Sequence, residues 1–109
     1  MSISEEDYEA RALPELRALV DALDQLELSG VECELSSDIL TIELGSGSRY
    51  VVNSHRAARQ IWMAAERNAW HFDWDGQRSA WIAKKTGDEL WSTLSRVISS
   101  KLGQPVALQ

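Results

Sequence analysis

Val31-Glu32-Cys33-Glu34-Leu35-Ser36-Ser37-Asp38-Ile39-Leu40-Thr41-Ile42-Glu43-Leu44 alternates apolar and polar residues in two runs separated by a turn. A period of two is that of a half-buried strand, so Val31, Cys33 and Leu35 point inward while Glu32 and Glu34 share an outer face. Ser36-Ser37-Asp38 has the composition of a turn, and Leu40, Ile42 and Leu44 alternate with Thr41 and Glu43 as a second strand. Gly45-Ser46-Gly47-Ser48 turns the chain again into Arg49-Tyr50-Val51-Val52-Asn53. Three strands joined by short turns predict an antiparallel meander.

Downstream, Gln60 to Ala65 and Trp70 to Asp75 are rich in the aromatic and branched residues that strands favour. Asp75-Gly76 predicts a hairpin turn, and Ala80 to Ala83 a short further strand. After the loop Lys84-Lys85-Thr86-Gly87, residues Leu90, Trp91, Leu94, Val97, Ile98 and Leu102 recur at helical spacing until Gly103 and Pro105. Upstream, Ser4 before Glu5, Glu6 and Asp7 marks a helix start, with a hydroxyl cap and carboxylates at the positive end of the dipole. Leu13, Leu16, Leu19, Val20, Leu23 and Leu26 form one stripe, closed by Ser29 and Gly30. Pro14 either kinks this helix or lies in the first turn of a helix that begins there. The predicted fold is α+β: a two-layer sandwich, with an antiparallel sheet of five to six strands and both terminal helices on one face. At 109 residues a single domain, 1–109, is expected.

The formal net charge is −6, so phosphate backbones and anionic membranes repel this surface, and cations and basic proteins suit it. No nucleic acid and no membrane are expected as partners. The apolar runs, such as Ala57 to Ala58 and Ile61 to Ala65, fall far short of the roughly 20 residues that span a bilayer. Met1 to Glu9 is acidic and lacks the basic and apolar regions of a secretory signal, which makes the cytoplasm the expected compartment. The single cysteine, Cys33, makes no internal disulfide and no multi-cysteine metal cage.

Asp21 and Asp24 are three apart on a helix and so lie on one side of it, with Glu32 and Glu34 just beyond the helix end. Exposed carboxylates suit a hard cation that keeps most of its waters, held weakly; oxygen ligands alone do not separate iron from manganese, calcium or magnesium. The same residues also serve simply to keep an edge strand soluble and unpaired. On the sheet, if Ile61 and Met63 point into the core, Gln60, Trp62 and Ala64 face the other way. Trp62 is then largely exposed, and Asn53, Gln60, Trp62, His71 and Asp73 line an open face with Thr41 and Glu43. An exposed tryptophan among polar groups has the composition of a protein-binding anchor, whereas a register shift of one would make it core. Phe72, Trp74 and Trp91 are read as packing residues, Trp81 is open, His71 is a surface or hydrogen-bonded strand residue, and His55 a loop residue. No nucleophile motif, phosphate loop or Glu-x-x-His pair is present, so no enzyme activity is expected.

Leu40-Thr41-Ile42-Glu43, Gly47 to Asn53, Gln60-Ile61-Trp62-Met63-Ala64, His71 to Gly76 and Thr86-Gly87-Asp88-Glu89-Leu90-Trp91 together resemble the frataxin family and its bacterial branch. Ser54-His55-Arg56-Ala57-Ala58 stands where the family usually has a proline, and Asn68-Ala69-Trp70 where it has glycines. The resemblance implies an iron-binding protein of iron–sulfur cluster assembly, an iron chaperone or a regulator of the cysteine desulfurase, monomeric without metal. It makes Asp21, Asp24, Glu27, Glu32 and Glu34 an acidic ridge for ferrous or ferric iron and for the basic surface of the desulfurase. It makes the open sheet face a contact for the iron–sulfur scaffold protein or the desulfurase. Two alternatives remain: a ferroxidase, as some family members are held to be, and a docking module without physiological metal binding.

Overall fold

The hydroxyl oxygen of Ser4 accepts the backbone N–H of Asp7 at 3.1 Å, and helix α1 (Glu5–Leu26) runs from there to an αL cap at Glu27. The computed structural model describes residues 3–45 and 47–108; Ser46, in the predicted second turn, lies outside them. Six strands follow: β1 (Val31–Ser36), β2 (Ile39–Leu44), β3 (Ser48–His55), β4 (Gln60–Ala65), β5 (Asn68–Asp75) and β6 (Ala80–Ile82). A one-turn 3₁₀ helix (Arg56–Ala58) joins β3 to β4, and α2 (Leu90–Leu102) ends the order at an αL Gly103.

Every strand pairs antiparallel with its neighbour in sequence, giving one sheet in the order β1-β2-β3-β4-β5-β6. Alternation sorts its side chains as the sequence predicts. Leu40, Ile42, Tyr50, Val52, Ile61, Met63 and Phe72 are buried with Leu16, Leu19 and Leu23 of α1 and Leu90, Leu94 and Ile98 of α2. Both helices therefore cover one sheet face, and burial of this apolar surface is the main force holding the two layers together.

Several details depart from expectation. Pro14 lies inside a continuous α1, which begins nine residues earlier at Glu5; its side chain is exposed, and the buried stripe of Tyr8, Ala12, Leu16, Leu19 and Leu23 overrides the lost backbone bond. β3 runs on to His55 and β5 starts at Asn68, each two residues beyond the predicted limit. The β5–β6 connection spans Gly76 to Ser79 instead of a two-residue turn, and the Asp75 carboxylate accepts the N–H groups of Gln77 and Arg78.

Trp81 is 1% exposed and so belongs to the core, edge-on to both Tyr8 and Trp74. Trp74 and Trp91 are only partly buried: Arg11 sits 4.3 Å from the centre of the Trp74 ring, and the Trp91 indole N–H donates to Glu15 Oε2 at 2.7 Å, tying α2 to α1. Asp88 holds the loop before α2, accepting on one carboxylate oxygen from the Trp70 indole N–H and the Thr86 hydroxyl. Beyond Gly103 the chain turns back, burying Val106 and Leu108. Ser99 Oγ accepts the Val106 N–H, and Ser95 Oγ accepts that of Leu108.

Candidate functional site

The register of β2 to β5 builds the uncovered face. Ile39 lies opposite Asn53, Asn53 opposite Trp62 and Trp62 opposite His71, so one row crosses four strands. The next row brings His55, Gln60 and Asp73 together. The five expected partner residues are thus adjacent on one surface.

Trp62 is half-buried, not largely exposed, and the cause lies in its neighbours. Its indole is stacked between two imidazoles, His55 at 3.7 Å and His71 at 4.2 Å between ring centres, with interplanar angles of 13° and 14°. His71 reaches it as a direct cross-strand partner, and His55 as a diagonal one, both within range of aromatic side chains. The indole N–H donates to Gln60 Oε1 at 2.8 Å, and the Gln60 amide N–H groups donate to both carboxylate oxygens of Asp73. The ring is held both over its faces and along its edge.

His55 is therefore no loop residue. It closes β3, and its Nδ1 accepts the Ala58 N–H at 3.3 Å, capping the 3₁₀ turn. The turn and the start of β4 are tied to α1 and the segment before it: Arg56 pairs with Glu9 at 3.5 Å, the Tyr8 hydroxyl donates to the Gln60 carbonyl at 2.8 Å, and Arg59 donates to the Ile3 carbonyl. Below it, the Ser54 hydroxyl donates to Asp38 at 2.6 Å. Ile39, 45% exposed, extends the row toward β1 as an apolar side chain in water.

The acidic edge is more dispersed. Asp21, Asp24, Glu27, Glu32 and Glu34 are all exposed, on the last turns of α1, at its cap and on the outer side of β1. Glu32 lies opposite Glu43, whose carboxylate Arg49 engages at 3.1 Å. Among the described residues no three His, Cys, Asp or Glu side chains converge as a metal cage. What these residues present is a spread of exposed oxygen donors, a donor type suited to hard ions and, without convergence, to loose binding only.

Cys33 lies between Glu32 and Glu34 on the inner side of β1, partly buried against the core. Burial pushes its thiol up to about 11, and the nearby Asp24 carboxylate adds to the shift. The group is a neutral thiol at physiological pH and adds no thiolate to the donor set. Because the folded state raises this pKa, the associated stability is constant below the ordinary thiol range and declines as pH rises from about 9 to about 11. At pH 7.5, iodoacetamide should label folded protein about a hundredfold more slowly than urea-unfolded protein, following the thiolate fraction. Equal rates would place Cys33 in water.

Two helices over one side of a six-stranded antiparallel sheet, with an aromatic stack on the other side, define a two-layer α+β sandwich with an open sheet face. Residues 1–104 match the family model for the frataxin-like domain. The chain is 36% identical over 105 residues to the iron–sulfur cluster assembly protein CyaY of Tolumonas auensis, covering 94% of this chain and 97% of that one. It is 32% identical over 94 residues to the protein of the same name from Thioalkalivibrio sulfidiphilus, covering 85% and 88%. Among solved structures, frataxin from Psychromonas ingrahamii superposes with a TM-score of 0.87 at 20% identity, over 98% of this chain and 99% of that one. The chain belongs to the frataxin family. Among the described residues no helix is long and apolar enough to cross a membrane.

Proposed function

We propose that this protein serves iron–sulfur cluster assembly by docking on the cysteine desulfurase and the scaffold protein through its open sheet face, carrying iron weakly on its acidic edge. The observation that carries this reading is the fixed Trp62 indole in the middle of an uncovered sheet, with Asn53, Gln60, His71 and Asp73 around it. A large aromatic ring ordered before binding loses little entropy on docking, which suits it as an anchor. The names of the bacterial relatives place such proteins in cluster assembly and support the same reading.

Iron is here a cargo, met by the carboxylates of Asp21, Asp24, Glu27, Glu32 and Glu34. Their exposure on neighbouring elements makes them a field that attracts cations and basic surfaces over a Debye length of about 8 Å at physiological salt. The dispersion of these groups favours one second reading, in which the acidic edge only steers a basic partner and binds no metal physiologically.

The two readings separate in an anaerobic titration with ferrous iron followed by amide NMR. Wild-type signals at 21–24 and 32–34 should shift, and the variant Asp21→Asn, Asp24→Asn, Glu32→Gln, Glu34→Gln should lose these shifts while gaining slightly in thermal midpoint as like charges are removed. Shifts that persist in the variant place the iron elsewhere. Wild-type signals that stay still, with desulfurase association that weakens at high salt, leave steering as the role of the edge.

A further inference from the structure

We propose that His55 is a positioning residue for Trp62, closing the stack on the side that His71 leaves open and so fixing the indole for docking; the docking part rests on the function proposed above. Three observations converge on it. The His55 and Trp62 rings are close and nearly parallel, 3.7 Å between centres at 13°, tighter than the His71 contact. The His55 ring is itself oriented, because its Nδ1 is engaged by the Ala58 N–H. The turn that follows it is fixed to α1 through the Arg56–Glu9 ion pair, and the start of β4 through the Tyr8 hydroxyl on the Gln60 carbonyl. Trp62 on an open strand face has no core to select its rotamer, so these contacts do.

With the His55 ring gone, His71 and Gln60 still touch the indole, but one of its faces opens and the side chain samples other rotamers before a partner arrives. Ordering it again on binding weakens affinity by roughly two- to tenfold, the usual penalty for immobilising one large side chain. Binding, and not folding, registers the loss, since the stack lies outside the core.

His55 does two things at once, and two substitutions separate them. His55→Asn keeps an acceptor for the Ala58 N–H and removes the ring; His55→Phe keeps a ring and removes the acceptor. The readouts are the Trp62 indole N–H signal in ¹H–¹⁵N spectra, the thermal midpoint, and affinity for purified bacterial cysteine desulfurase and scaffold protein. His55→Asn should move and broaden the indole signal and weaken binding two- to tenfold at a nearly unchanged midpoint, and His55→Phe should recover most of the affinity. An unmoved indole signal in His55→Asn, or binding weakened equally by both changes, overturns the proposal. If Trp62→Ala itself binds as wild type, the docking reading falls, and the indole signal alone decides whether His55 positions the ring.

Discussion

Trp81→Ala should lower the stability of the fold by about 3–5 kcal/mol, the range for emptying a buried aromatic site. Trp81 sits on the three-residue strand β6 and fills the space between Tyr8 of α1 and Trp74 of β5, so its loss opens a cavity where the helix layer meets the sheet edge. One factor moderates the effect: its indole N–H is buried and finds no acceptor among the described residues, so the substitution also removes an unpaired donor. Trp81→Phe should accordingly cost much less than Trp81→Ala. Urea titration of the three proteins checks both statements; a change below about 1 kcal/mol for alanine would mean that the site collapses around the gap.

Trp62→Ala is expected to do the reverse. Binding to the desulfurase or scaffold should weaken by about 2 kcal/mol or more, roughly thirtyfold, as when a central aromatic anchor is truncated. Stability should fall by only about 1–2 kcal/mol, the contribution of two aromatic contacts and a partly shielded hydrogen bond on the sheet surface. Calorimetric affinity alongside the thermal midpoint separates the two. A large stability loss with unchanged affinity would make the stack a structural support and move the docking surface elsewhere.

These two tryptophans show where sequence reading carries and where it stops. Trp62 was legible because Ile61 and Met63 alternate with it, and a period of two assigns faces without knowledge of the partner strands. Trp81 was not, since a strand of three residues is too short to show a period. His55 was missed because Ser54-His55 extends β3 past the last alternating pair and its contact with Trp62 is diagonal, a relation created by register between strands. Val106 and Leu108 lie beyond a glycine and a proline that end the helical pattern, so nothing local marks them as core. Asp21, Asp24, Glu32 and Glu34 could be named from spacing, and Glu27 only from the family resemblance, but how far apart their carboxylates stand depends on how α1 ends against β1.

The strictly sequential sheet bears on how the chain is made. Strands pair only with their neighbours in sequence, so every hairpin is able to form as soon as its second strand is synthesised, and local pairing of this kind favours fast folding. The layer above the sheet has no such order. α1 comes first, while Leu90, Leu94 and Ile98 come after all six strands, and Val106 and Leu108 later still. A nascent chain that has reached β6 thus carries a complete sheet with the part of its apolar face beneath α2 bare, a surface open to aggregation until α2 arrives. The Glu89 side chain caps α2, and Asp88 bonds Trp70 of β5 and Thr86, so the start of the helix that completes the layer is tied directly to the sheet it covers.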